Sequence, residues 1–276
     1  MNAVINFSYV FNHMIAIPVL LNGRKHSFIF DTGIGLTVIS KKLADELRAP
    51  DYGTFTGKRM SGQDVPVPLT RVSSLEVGSV KREDCTVGIF DTSSFPPELS
   101  GISGIMSPAF FEDVIFAVDY GKNRILLGEE ASAISEHAVA TVPIEIERKG
   151  PSIAIFIYAL LPTKKSLKLE VDSGSGALIL DTSLMKELGI DKEGSSSKLY
   201  VGVDETGYSY KRYFSKIRGN LAINGAESVH HPDPEVVFQD IIYDGLLGND
   251  FLKRYNVTYD LSNGKMWFSE KQISEM

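Results

Sequence analysis

Short runs of β-branched and aromatic residues alternate along this chain with glycine, proline, asparagine and aspartate. Val4 to Phe11 and Met14 to Leu21 read as strands, and Asn22-Gly23 is a tight-turn signal before Ser27 to Phe30. This pattern predicts a hairpin that delivers Asp31 at the end of a strand. Ile153 to Leu161, a turn at Pro162-Thr163-Lys164, and Leu167 to Val171 predict the same arrangement for Asp172. A short helical pattern follows each aspartate loop. Ser40 is placed to cap Lys41 to Arg48, and Asp181 to cap Thr182 to Leu188 with Gly189 as the stop. Gly57 to Val67 and Val201 to Tyr210 are polar, glycine-bearing segments flanked by β-formers, each suited to a hairpin.

The hydrophobic pattern repeats. Phe30-Asp31-Thr32-Gly33-Ile34-Gly35 and Val171-Asp172-Ser173-Gly174-Ser175-Gly176 lie 141 residues apart. The same offset relates Ser103-Gly104-Ile105-Met106-Ser107-Pro108-Ala109-Phe110 to Asp244-Gly245-Leu246-Leu247-Gly248-Asn249-Asp250-Phe251. It also relates Leu47 to Leu188 and Asp119-Tyr120 to Asp260-Leu261. A register kept this long marks one half as a copy of the other. Glu129 to Ala140 is small, polar and weakly periodic, as a linker would be. The boundary near Ile134 gives an N-terminal lobe of residues 1–133 and a C-terminal lobe of residues 134–276.

Composition narrows the function classes. With 276 residues, 43% of them hydrophobic, the chain can bury a sizeable core. The net charge is −7 and the basic residues are dispersed, which argues against nucleic acid as a partner. Cys85 is the only cysteine, so no intramolecular disulfide can form and thiolates are too few for a structural zinc site. It reads as a small buried hydrophobe. The longest apolar stretches fall short of the roughly 20 residues that span a bilayer. Asn2, Asn6, Ser8 and Asn12 interrupt any apolar leader. With Met1 as the natural start the protein would stay in the cytoplasm, and with a trimmed export signal it would belong to the periplasm or cell envelope.

One Asp-Thr-Gly is usually a strand-ending turn. Two copies, each after an apolar strand and each matched by a downstream apolar motif at one offset, point to chemistry. Two carboxyls a few ångströms apart cannot both ionise cheaply, so such a pair holds one proton. The charged member can take a proton from a water between them while the neutral member polarises a peptide carbonyl, with no covalent adduct and no cofactor or metal. Gly33 and Gly174 let the chain turn sharply beside Asp31 and Asp172. The hydroxyls of Thr32 and Ser173 are suited to bonding the two loops together.

With these residues in place, the chain resembles the aspartic peptidases of the pepsin and retropepsin group. Their signature is hydrophobic-Asp-Thr/Ser-Gly followed later by hydrophobic-hydrophobic-Gly. Phe30-Asp31-Thr32-Gly33 and Val171-Asp172-Ser173-Gly174 match the first part, and Leu246-Leu247-Gly248 the second. The stretch from Tyr243 to Leu252 is similar to bacterial retropepsin-like proteins in particular. In the N-terminal half, Ile105-Met106-Ser107 carries serine in place of glycine, where Ser107-Pro108 also suits a helix start. The resemblance implies an all-β, bilobal acid-protease fold with the dyad in a cleft between β-barrel-like lobes. It implies a flap hairpin, for which Gly57 to Val67 and Val201 to Tyr210 are the candidates. It also implies an extended peptide or protein substrate bound as a strand. One chain supplies both aspartates, so a monomer suffices. Two other functions fit the same residues: a catalytically silent peptide-binding protein, and an enzyme of very narrow or self-processing specificity.

Other features have plainer readings. His230-His231, with Pro232 and Pro234 between it and the acids Asp233 and Glu235, reads as a solvated loop, not a metal site. Ser195-Ser196-Ser197 lacks a Gly-x-Ser-x-Gly frame and reads as a loop. Gly33-Ile34-Gly35 lacks the βαβ context of a nucleotide site. Trp267, on the last apolar strand, reads as core or lobe interface.

Overall fold

The computed structural model describes residues 2–93, 95–194, 197–203 and 209–271. Their strands form three sheets with only short helices between them, an all-β architecture of two lobes.

The first lobe is an eight-stranded sheet. From edge to edge it runs Ser8–Val10, Met14–Leu21, Arg24–Phe30, Ile102–Met106, Val38–Ser40, Val80–Phe90, Asp64–Val77 and Thr54–Lys58. The hairpin at Asn22-Gly23 forms as the sequence predicts. Leu21 pairs with Arg24, and both turn residues take positive φ, 49° and 76°, the combination that asparagine and glycine tolerate best. Arg24–Phe30 then lies parallel to Ile102–Met106, with Phe30 opposite Met106.

The second lobe repeats the construction within a ten-stranded sheet. Ser152–Leu160 and Ser166–Val171 pair antiparallel, and Ser166–Val171 lies parallel to Gly245–Leu247, with Val171 opposite Leu247. Leu167, Leu169 and Val171 turn into the core, which leaves Lys168, Glu170 and Asp172 on the other face. A six-stranded sheet joins the lobes in the order Ala3–Asn6, Arg124–Leu127, Phe116–Asp119, Asn256–Asp260, Lys265–Ser269 and Ala138–Pro143. At its centre Phe116 pairs with Tyr259 and their rings stack at 4.7 Å. One continuous hydrophobic core runs from lobe to lobe through this sheet.

Several expectations need correction. Val4 to Phe11 is two strands in different sheets, because the chain leaves one sheet at Phe7 for the next. The segment expected as a linker holds a helix, Glu129–Ser135, and the start of strand Ala138–Pro143. Glu129 and Glu130 lie in the helix's first turn, where acidic side chains favour it, and Ala131 packs on Ala117 and Leu126. Thr182 to Leu188 winds only as a 3₁₀ turn, Thr182–Leu184, capped by Asp181, before Gly189 turns at φ 68°. Lys41–Leu47 is helical as read, with Ser40 Oγ accepting from Leu43 N.

His230 and His231 belong to strand Ala226–Pro232, not to a loop. Their main chains pair with Ala222 and Leu221, so the two rings leave opposite faces. Cys85 is half-buried and packs against the core. Trp267 is half-buried in the joining sheet. Ser195, Ser196 and residues 204–208, which fall within the Val201 to Tyr210 segment expected as a hairpin, lie outside the described residues. No helix among the described residues is long and apolar enough to cross a membrane.

Candidate active site

The two parallel strand pairs deliver the two motif aspartates to one point. Asp31 N donates to Met106 O at 3.1 Å, and Asp172 N donates to Leu247 O at the same distance. In each lobe the aspartate therefore begins its loop already tied to the strand carrying the downstream apolar motif.

The next residues tie the loops to each other. Thr32 N donates to Ser173 Oγ at 3.0 Å and Ser173 N to Thr32 Oγ1 at 2.8 Å. Each hydroxyl then donates into the opposite lobe, Thr32 Oγ1 to Val171 O at 2.8 Å and Ser173 Oγ to Phe30 O at 3.4 Å. Both side chains are buried. Removing either would leave main-chain groups without partners in a dry place, the costly form of a lost hydrogen bond.

Gly33 and Gly174 are glycines for a steric reason. A Cβ on Gly33 would stand 2.5 Å from Asp172 Cγ, and one on Gly174 would stand 2.3 Å from Asp31 Oδ2. Each loop crosses directly over the other lobe's carboxyl. Their amides also face the carboxyl oxygens. Gly33 N and Gly174 N donate to Asp31 Oδ1 at 2.8 and 3.1 Å, while Gly174 N and Ser175 N donate to Asp172 Oδ1 at 2.9 and 3.0 Å. The two carboxyls lie within hydrogen-bonding reach of each other, which requires one to keep its proton.

Burial raises both carboxyls above the usual aspartate range, but unequally. For Asp31 the rise is opposed by the amides of Gly33, Gly174 and Ile34 and by the hydrogen bond with Asp172. For Asp172 it is reinforced by the charges of Asp31 and Glu170, which push it well up. The two titrate as a pair that holds one proton between them.

A second layer steadies each loop. In the first lobe Ser107 Oγ donates to Gly35 O at 3.0 Å and accepts from Ala109 N at 3.2 Å, so the serine both holds the aspartate loop and caps a 3₁₀ turn. In the second lobe Asn249 follows Gly248. Its Nδ2 donates to His13 O at 2.8 Å and to Ser173 O, and its Oδ1 accepts from Tyr120 at 3.0 Å. Asn249 thereby joins the second aspartate loop to the first lobe and to the sheet between them.

A hairpin roofs the site. Thr54–Lys58 and the start of Asp64–Val77 reach from the first lobe to the second, where Ile242 N donates to Met60 O at 2.9 Å and Met60 packs beside Ile179, Val237 and Leu246. Gly57 to Val67, one of the two candidate flaps, shares a cavity wall with Asp172 through Gly57 and the residues that follow it. Beneath it are two cavities that share Gly33, Gly35 and Phe55 as walls. One, about 770 Å³, is lined by Ile34, Leu36, Val65, Val67, Phe90 and Ile105. The other, about 390 Å³, is lined by Asp172, Glu170, Tyr243, Phe156, Met60 and Ile242.

All six residues singled out from the sequence, Asp31, Thr32, Gly33, Asp172, Ser173 and Gly174, meet at this point. Sequence reasoning missed Asn249, Glu170 and Tyr243. Glu170 did leave a signal, because the 141-residue offset sets it against Ile29, a charged residue facing an apolar one just before the motif. No cluster of metal-ligating side chains occurs among the described residues.

A family model described as Aspartyl protease matches residues 17–107. The match runs from the strand before Asp31 through Ser107 and supports an aspartic peptidase family for the chain. Against the curated proteins, nothing matches.

Proposed function

We propose that this chain is an aspartic endopeptidase that hydrolyses peptide bonds with a water activated between Asp31 and Asp172, residues 1–133 forming one lobe and 134–276 the other. One observation carries the reading: two carboxyls from opposite lobes meet within hydrogen-bonding reach of each other at the base of a cleft that a hairpin roofs. Ionised Asp31 takes a proton from the water as its oxygen attacks the peptide carbonyl carbon. Asp172 gives its proton to the carbonyl oxygen, which completes a neutral gem-diol. Asp31 then returns its proton to the departing amine nitrogen as the C–N bond breaks. Asp172 recovers a proton from a gem-diol hydroxyl, leaving a carboxylic acid product and the starting pair. The substrate would lie extended beneath the hairpin, held by main-chain hydrogen bonds and sorted by the two cavities. Both carboxyls come from one chain, so the monomer is the working unit.

The test is cleavage of a randomised peptide library from pH 3 to 8, read by mass spectrometry, for the wild type, Asp31→Asn and Asp172→Asn. Each variant should lose at least about 10²-fold in kcat/KM, the scale of a positioned acid or base, with circular dichroism unchanged. Undiminished cleavage by either variant, or peptide binding by the wild type with no cut sites at any pH, would overturn the reading.

A further inference from the structure

We infer that the cavity beside Asp172 is a substrate subsite for a cationic side chain, lysine or arginine, and that Glu170 selects it. The assignment rests on the endopeptidase reading above and deepens it.

The placement of Glu170 comes from strand geometry. In Ser166–Val171 the side chains alternate, so Glu170 leaves the same face as Asp172, two residues on, and both line the cavity. A side chain entering there passes Met60, Ile242 and the rings of Phe156 and Tyr243, surfaces suited to the methylene stem of lysine or arginine. Glu170 would meet its charged end.

Charge pairing favours the same occupant. Lys168, two positions earlier on the same face, is held by Glu145 at 2.6 Å and Glu147 at 2.7 Å and sits over the Phe156 ring. Arg148 pairs with Glu112, and Lys58 with Asp64 at 2.6 Å. Lys149 donates to Thr56 O at 3.1 Å beneath the roof hairpin. Arg59 completes the basic rim. The groups acting on Glu170 itself are the Tyr243 hydroxyl and the acids Asp31 and Glu147, with Asp172 beside it. Glu170, Asp172 and Glu147 thus place three acids on the cavity wall alongside the basic rim, and a substrate cation gives Glu170 a counter-charge there. The neighbouring cavity is lined mainly by aliphatic and aromatic side chains, and its one acid, Asp91, shares its walls with Lys41, Lys58 and Arg59, so the acid beside the dyad is particular to the cavity that Glu170 lines.

Burial pushes the Glu170 carboxyl up to about 7; the Tyr243 hydroxyl opposes the rise, while Asp31 and Glu147 add to it. Selection should therefore strengthen as pH rises through about 7.

The experiment uses the full chain. Cut sites in a randomised peptide library identify the position that enters the cavity. Matched peptides then carry lysine or its uncharged near-isostere norleucine at that position, and kcat/KM is measured for wild type and Glu170→Gln at pH 6 and 8. In parallel, binding of the same peptides to Asp31→Asn and to the Asp31→Asn, Glu170→Gln double variant is followed by fluorescence anisotropy. The wild type should favour lysine at least tenfold at pH 8 and less at pH 6, and the Gln variant should bring the ratio near one. Cleavage with no lysine preference, or with a preference that survives Glu170→Gln, overturns the subsite and leaves the endopeptidase reading standing. Tighter binding of the lysine peptide that depends on Glu170, with no cleavage by the wild type, keeps the subsite and overturns the endopeptidase reading. Neither cleavage nor charge-selective binding overturns both.

Discussion

The two aspartate loops share a main-chain construction and differ in the side chains around it. Both aspartate amides bond the last residue of a parallel neighbour strand at 3.1 Å, and both following hydroxyls cross to the other lobe. Around that common frame, Ile29 stands where the second half has Glu170, and Ser107 where it has Gly248. The amides also divide unequally. Gly174 N serves both carboxyls, whereas Gly33 N serves Asp31 alone. A symmetric frame brings two identical groups together; acid–base chemistry then needs them to differ, and the unmatched side chains supply the difference.

The largest test of that contrast is to put a methyl group where each loop crosses the other lobe's carboxyl. Gly33→Ala would direct its Cβ at Asp172 and Gly174→Ala at Asp31. Each should lower kcat/KM by at least about 10²-fold, the scale reached when reacting groups are displaced by about an ångström. Gly174→Ala should be the worse, because it also moves the amide shared by both carboxyls. Steady-state kinetics on the best library peptide decide the order. Equal losses would mean that the shared amide has no special weight.

A smaller effect probes the serine–glycine difference. Gly248→Ser would place its Cβ 2.1 Å from the main-chain oxygen of Ala177, a group that cannot step aside, and should cost about 1–3 kcal/mol. Ser107→Ala loses the bond to Gly35 O and the cap on Ala109 N, and should cost about 1 kcal/mol. Urea denaturation of both variants checks the ranking. If Ser107→Ala proved the more damaging, the first lobe's loop would depend on its serine more than the second depends on open space.

What the sequence made legible follows from these contacts. The aspartates, their glycines and the crossing hydroxyls were readable because each role needs a particular residue type at a fixed offset. The Asn22-Gly23 hairpin was readable because few residues accept two positive φ values in succession. Asn249 was not, since its partners His13, Tyr120 and Ser173 are brought to it only by tertiary folding. The helix Glu129–Ser135 was hidden for a related reason: its polar face looks like a linker, and its support is a few small residues packed on the joining sheet. Ser107 looked like a flaw in a pattern. Its bond to Gly35 O shows that the first-lobe loop offers an acceptor where the second-lobe loop crowds Gly248.

The smallest expected effect separates Glu170 from its apolar counterpart Ile29 through stability rather than activity. A carboxyl whose folded value is about 7, above an ordinary 4.5, binds more protons folded than unfolded between those values. Its contribution to stability is therefore fully present below pH 4.5 and is lost as pH rises toward about 7. Asp31 and Asp172, also raised, act with the same sign, so the wild type should weaken as pH rises from acid toward neutral. Glu170→Gln removes only one share of that slope. Urea midpoints at intervals from pH 4 to 8 should show the wild type losing ground to the Gln variant up to about pH 7, with the difference constant above it. A difference that did not change with pH would mean that Glu170 is solvated in the cleft and stays ionised near neutrality, and its preference for a cation would then be the same at pH 6 and pH 8.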